Sequence, residues 1–143
     1  MAGHEDGSPA PTPGAPSPQV LCDTIGLLAL SDDAGAGALW RLAEPGRQLD
    51  ANVVRVPAAG RVGTHTEPDL DVLLLVLDGG ASLVCSDGEL PLRPGVLTWL
   101  PHGSARGVVA GPDGVTYLTV HRRRPGMRVQ PSGAADRLRP GGA

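Results

Sequence analysis

"GRVGTHTEPDLDVLLLVLDGG", residues 60–80, decides the fold through its second half. Val72–Leu77 is apolar at every position and is closed by Asp78, Gly79 and Gly80. A run of this length bounded by turn residues is a strand covered on both faces, not an amphipathic helix. One face is expected to line the interior of a barrel. The other needs a second sheet or a partner subunit, and a chain this short has little left to supply a cover. A second copy of the chain is therefore the expected partner, as a homodimer.

Outward from that strand the chain continues in the same style. "ALWRLA", "LDANVVRV", "ASLVCS", "ELPLR", "VLTWLP", "ARGVVA" and "VTYLTVH" are short apolar runs. They are separated by "EPG", "PAAG", "DGE", "RPG", "PHG" and "GPDG". Many short strands punctuated by Gly and Pro predict an all-β antiparallel sandwich or barrel. "CSDGEL" predicts a hairpin at Asp87-Gly88, because this pair tolerates the positive φ of a tight primed turn. Residues 20–30, "VLCDTIGLLAL", fit a helix or an extended strand, and "SDDAGAGA" (31–38) reads as a flexible loop.

Composition sets the limits. Residues 1–18 contain five prolines and almost no large apolar side chain, so they are expected to be a disordered tail. Residues 128–143 are similarly poor in apolar groups, which leaves 19–127 as one barrel domain. No run is long enough to span a bilayer, and the N-terminus lacks the basic start and apolar core of a secretory signal. Cys22 and Cys85 form no metal-binding pattern and are expected to be reduced thiols in a cytoplasmic protein. Net charge is −3, all twelve basic residues are arginines, and six of them follow residue 121. The low aromatic content gives little to stack bases on, so no nucleic-acid partner is expected.

Two motifs resemble those of the cupin superfamily. The first is a glycine, then His-x-His, a carboxylate and a hydrophobic strand ending in Gly, here "GRVGTHTEPDLDVLLLVLDG", residues 60–79. The second is Gly-x5-Pro-x-Gly-x2-His, here "GVLTWLPHGSAR", residues 95–106, with Gly95, Pro101 and Gly103 in place. The resemblance covers roughly residues 38–124 and implies a double-stranded β-barrel, or jelly roll, of the compact single-domain type.

In metal-binding cupins these motifs supply histidines and a carboxylate to one ion. In this chain His65 matches the first histidine and Glu67 stands at the second. The carboxylate position falls on Val72, with Asp71 beside it, and Arg106 replaces the last histidine. Two readings follow. His65 and Glu67, joined by Asp71 or His121, could hold one divalent metal such as Fe, Mn or Zn. Alternatively, Arg106 pairs with Glu67 and puts a fixed positive charge where the metal's charge stood. Trp99, expected in the core, and Tyr117 would be the natural aromatic lining of any pocket.

The expected function is a small-molecule binding or sensing barrel in which His65, Glu67, Arg106, Trp99 and Tyr117 contact a ligand, with Arg106 favouring an anion. The alternative is a metal-dependent cupin enzyme, an oxygenase or isomerase acting on a small organic substrate. No nucleophile with an oriented base can be read from the spacing.

Overall fold

The computed structural model describes residues 7, 14–34 and 36–124, with the side chains of 31–34 set aside. Most of the two expected tails lies outside the described residues. Among the described residues one helix, α1 (Thr24–Ala34), precedes seven strands. These are β1 (Gly37–Arg41), β2 (Leu49–Val56), β3 (Arg61–Thr66), β4 (Val72–Cys85), β5 (Gly88–Leu92), β6 (Leu97–Leu100) and β7 (Ala105–Arg122). All strand pairs are antiparallel.

The two long strands build the barrel. β4 and β7 pair along almost their whole length, from Leu73↔Val120 to Cys85↔Arg106. Their first pairing half, together with β2 and β6, makes one side of the barrel. The other half carries β3 and β5 and makes the opposite side. Both strands turn between the halves, where the register shifts twice between Val76 and Ala81. The turn needs glycine on both chains: Gly79 has φ +74° and Gly114 φ +72°. A Cβ at Gly79 would lie 2.1 Å from the Gly114 carbonyl oxygen, so the backbones touch where side chains would normally stand.

The strands fold inward by alternation. On β4, Val72, Leu74 and Val76 are buried, whereas Leu73 is exposed. Val72, Leu74, Val76, Val115 and Tyr117 from one side meet Leu83, Leu92, Val108 and Ala110 from the other in a single core. The Ser86–Asp87 turn closes the expected β4–β5 hairpin with Cys85 opposite Gly88. Positive φ falls on Gly88 at +128° and not on Asp87, so the turn is not of the primed Asp-Gly kind expected. Pro91 sits on β5, the edge strand, where a missing N–H leaves no ladder bond broken.

The N-terminal region departs from the sequence reading. The predicted loop over 31–38 is helical through Ala34. Asp23 explains where the helix starts: its Oδ1 accepts the Ile25 backbone N–H at 3.0 Å as an N-cap, and its carbonyl accepts the Leu27 N–H. Cys22 and Cys85 are both free thiols.

Candidate functional site: a buried arginine at the barrel mouth

At the end of the barrel away from Gly79, in the half that carries β3 and β5, β7 begins with Arg106 pointing inward. Strand alternation puts it on the same face as Val108 and Ala110, which are in the core. Its register neighbours are Cys85 on one side and His65 on the other. The side chain is 2% exposed. Nη1 donates to the Ser104 carbonyl at 3.2 Å, while Nε and Nη2 have no hydrogen-bond partner. Burial lowers the Arg106 pKa from its ordinary value, and the charge of Glu67 only partly opposes this.

Two further buried polar atoms are left open. His65 Nδ1 lies 3.0 Å from the Gly63 carbonyl. A carbonyl accepts only from a protonated nitrogen, so Nδ1 carries the hydrogen and neutral His65 presents a bare lone pair at Nε2. That Nε2 is buried without a partner. Thr119, fully buried between Asn52 and Leu74 in the ladder, likewise has an unpartnered Oγ1. Thr119 shares the inward face of Tyr117 and Val115. The opposed walls of the barrel therefore supply donors from Arg106, a lone pair from His65 and a hydroxyl from Thr119. Buried polar groups are nearly always satisfied, so these unpartnered atoms mark the barrel interior as the candidate site.

Glu67 does not pair with Arg106 as expected. Its carboxylate is bound by the Arg124 guanidinium and accepts the Asp69 backbone N–H at 3.1 Å. Its backbone carbonyl accepts the Gly103 N–H at 2.7 Å. Burial pushes the Glu67 carboxyl up, but the Asp69 N–H, the Arg124 contact and charge, and the Arg106 charge together hold it below its ordinary value. Arg106 thus feels Glu67 as a charge without bonding to it. Arg124, two residues beyond β7, holds that carboxylate instead.

The expected metal set does not assemble. Asp71 Oδ1 accepts the His102 backbone N–H at 2.9 Å and lies 2.7 Å from His102 Nδ1. Those His102 bonds, with the nearby Arg122 charge, keep the exposed Asp71 carboxyl below its usual range against a small opposing effect of burial. His121 Nδ1 is 2.7 Å from the Arg122 carbonyl, and the residue edges an outer groove with Trp99. Among the described residues no three His, Cys, Asp or Glu side chains are placed to share an ion. With Glu67 committed to Arg124 and the Arg106 cation beside His65, the donors present do not fit a divalent metal.

The two aromatic residues lie in different surroundings. Tyr117 belongs to the core, on the inward face that Thr119 shares, and burial pushes its phenol up to about 12. Trp99, expected in the core, is 64% exposed. The register explains this: Val72 pairs with Leu100, so Leu100 turns inward and Trp99, opposite Leu73, turns out. Arg124, on the Glu67 carboxylate, and Thr119, inside the barrel, are site residues that the sequence reading did not single out. The signal for Thr119 was its spacing of two from Tyr117 on the same strand.

No family model and no curated protein matches the sequence. Solved structures do. A sugar phosphate isomerase of the cupin superfamily from Silicibacter pomeroyi is similar at 27% identity and TM-score 0.56, over 69% of this chain and 65% of that one. A cupin-2 domain protein from Shewanella frigidimarina is similar at 16% identity and TM-score 0.57, over 72% and 95%. KdgF from Halomonas is similar at 23% identity and TM-score 0.52, over 59% and 77%. The chain spans just under two thirds of the Silicibacter protein's length. With this double-stranded barrel and these neighbours, the chain has the cupin fold.

Proposed function

We propose that the barrel is a binding module for a small organic anion that also carries a hydroxyl group. The observation behind this is Arg106, 2% exposed with two N–H groups unpartnered. An unpaired charge taken out of water costs several kcal/mol, and a carboxylate or phosphate offers the paired acceptors that match the guanidinium fork. The lone pair on His65 Nε2 would accept from a ligand hydroxyl, and Thr119 Oγ1 could bond either group. The Silicibacter neighbour supports the same class, since a sugar phosphate carries both an anion and hydroxyls. A metal-dependent oxygenase or isomerase activity has less support, because the donors for its ion are engaged elsewhere.

Titration calorimetry with a panel of hydroxy acids, plain carboxylates and sugar phosphates tests the proposal. Saturable one-to-one binding is expected for a hydroxylated anion and at least tenfold weaker binding for its deoxy counterpart, the cost of leaving a buried group unpaired. Heat from none of them, or equal binding of a neutral sugar, would contradict it.

A further inference from the structure

Three inward side chains stand on one rung of the sheet. Cys85 on β4 pairs with Arg106 on β7, and Arg106 pairs in turn with His65 on β3. Directly opposed residues share a face of the sheet, with Cβ atoms about 4.5–5.5 Å apart. Cys85 also has the parity of Leu83, a core residue, and packs against that core itself. The anion reading uses Arg106 and His65 and leaves the thiol without a role. That thiol is free, and its S–H donates only weakly, to the Leu83 carbonyl at 3.8 Å.

The neighbour matters more than the cysteine. Arg106 is 2% exposed, and its Nε and Nη2 have no hydrogen-bond partner among the described residues. These two nitrogens lie on the same edge of the guanidinium, so their N–H groups run parallel and match the paired oxygens of one anion. Glu67 does not fill this fork, because Arg124 holds its carboxylate. On its other side Cys85 pairs with Gly88, and a Cβ at Gly88 would have open space around it. The sulfur is therefore half-buried, beside a cation and open to a small molecule along the glycine flank. Cysteines in such partly exposed, positively charged surroundings are the ones that oxidants select.

We propose that Cys85 is a site of oxidation by peroxide, and that its sulfinate is an internal anion for Arg106. In the first step the Cys85 sulfur attacks one oxygen of hydrogen peroxide. An S–O bond forms, the O–O bond breaks, and the departing hydroxide takes up the thiol proton as water. A second peroxide repeats the exchange at the sulfenic sulfur, giving a second water and a sulfinic acid that releases its proton to solvent. Sulfur loses two electrons in each step, and peroxide gains them. The sulfinate carries two oxygens and a full negative charge, which the Nε and Nη2 fork bonds side by side. This pairing needs no outside ligand. Where the barrel binds an anion, a consequence that rests on the proposed function, the sulfinate occupies the same fork and shuts that site.

Hydrogen peroxide treatment of the full chain, with no anion added, tests the inference. Peptide mass spectrometry is expected to find two added oxygens on Cys85, accumulating roughly tenfold faster than on Cys22, the other half-buried thiol and the internal reference. The thermal midpoint should rise by about 4 °C or more as the sulfinate pairs with Arg106. Arg106→Met should remove both the preference and the rise. Cys85→Ser should keep the parent's circular dichroism and show no rise. Equal oxidation of the two cysteines, or a midpoint that falls as Cys85 is oxidised, would overturn the inference. These outcomes are independent of the calorimetry: a barrel that binds no anion leaves the sulfinate standing, and unselective oxidation leaves the anion reading standing.

Discussion

At the residue scale, the barrel mouth is organised by which arginine reaches which carboxylate. Glu67 is satisfied by Arg124 and the Asp69 N–H, and Arg106 is left with its charge buried and partly unbonded. The sequence placed His65, Glu67 and Arg106 in the motif positions, and strand pairing does bring His65 beside Arg106. It could not show that Arg124, 57 residues from Glu67, would return over the mouth, because that depends on where the last strand ends in space. Glu67 makes this partition measurable. Its folded pKa is lowered, so the stability it adds is present above its ordinary value of 4.5 and is lost as pH falls through the lowered value. Glu67→Gln is expected to cost roughly 1–2 kcal/mol at neutral pH. The variant should also lose less further stability than the parent on acidification below pH 4.5. Urea midpoints of the two proteins across the acid range measure this, and parallel curves would count against a carboxylate held by Arg124.

At the scale of the elements, most strands were legible because their boundaries are chemical. "VLDGG" ends the straight part of β4 where the backbone must pass within van der Waals reach of Gly114, a place only glycine can occupy. The two kinds of glycine in the sheet can be told apart by experiment. Gly79→Ala adds both a left-handed backbone penalty and a clash with a carbonyl, together roughly 2–5 kcal/mol. Gly88→Ala, with open space around its Cβ, adds only the backbone penalty of about 1–2 kcal/mol. Thermal denaturation of the pair should therefore rank Gly79→Ala well below Gly88→Ala, and equal losses would mean that the close approach at the bend is unimportant. Two elements were harder to read. α1 was ambiguous because Gly26 and Thr24-Ile25 argue against helix, and only the Asp23 cap argues for it. In "LTWL", with three of four residues apolar, periodicity cannot say which face is inside, and pairing with β4 decides it.

At the scale of the whole molecule, the fold was legible and the ligand chemistry only in outline. Two motifs in order specify the cupin barrel, but a barrel can carry many functions, and what distinguishes this one is the charge state of its interior. Replacing a motif histidine by arginine exchanges a metal-binding group for a permanent cation, and a permanent cation in a dry interior needs an anion. The most direct measurement is equilibrium unfolding of the parent and Arg106→Met, each without and with a hydroxylated anion at saturation. Without anion the methionine variant is expected to be more stable by roughly 1–3 kcal/mol, since a buried, incompletely bonded charge has been replaced by an apolar side chain. With anion at about a hundred times its dissociation constant the parent should gain about 2.7 kcal/mol and the variant nothing, so the gap should close or reverse. A variant less stable than the parent in plain buffer, together with equal gains for both on adding anion, would contradict the assignment of Arg106 as the binding group.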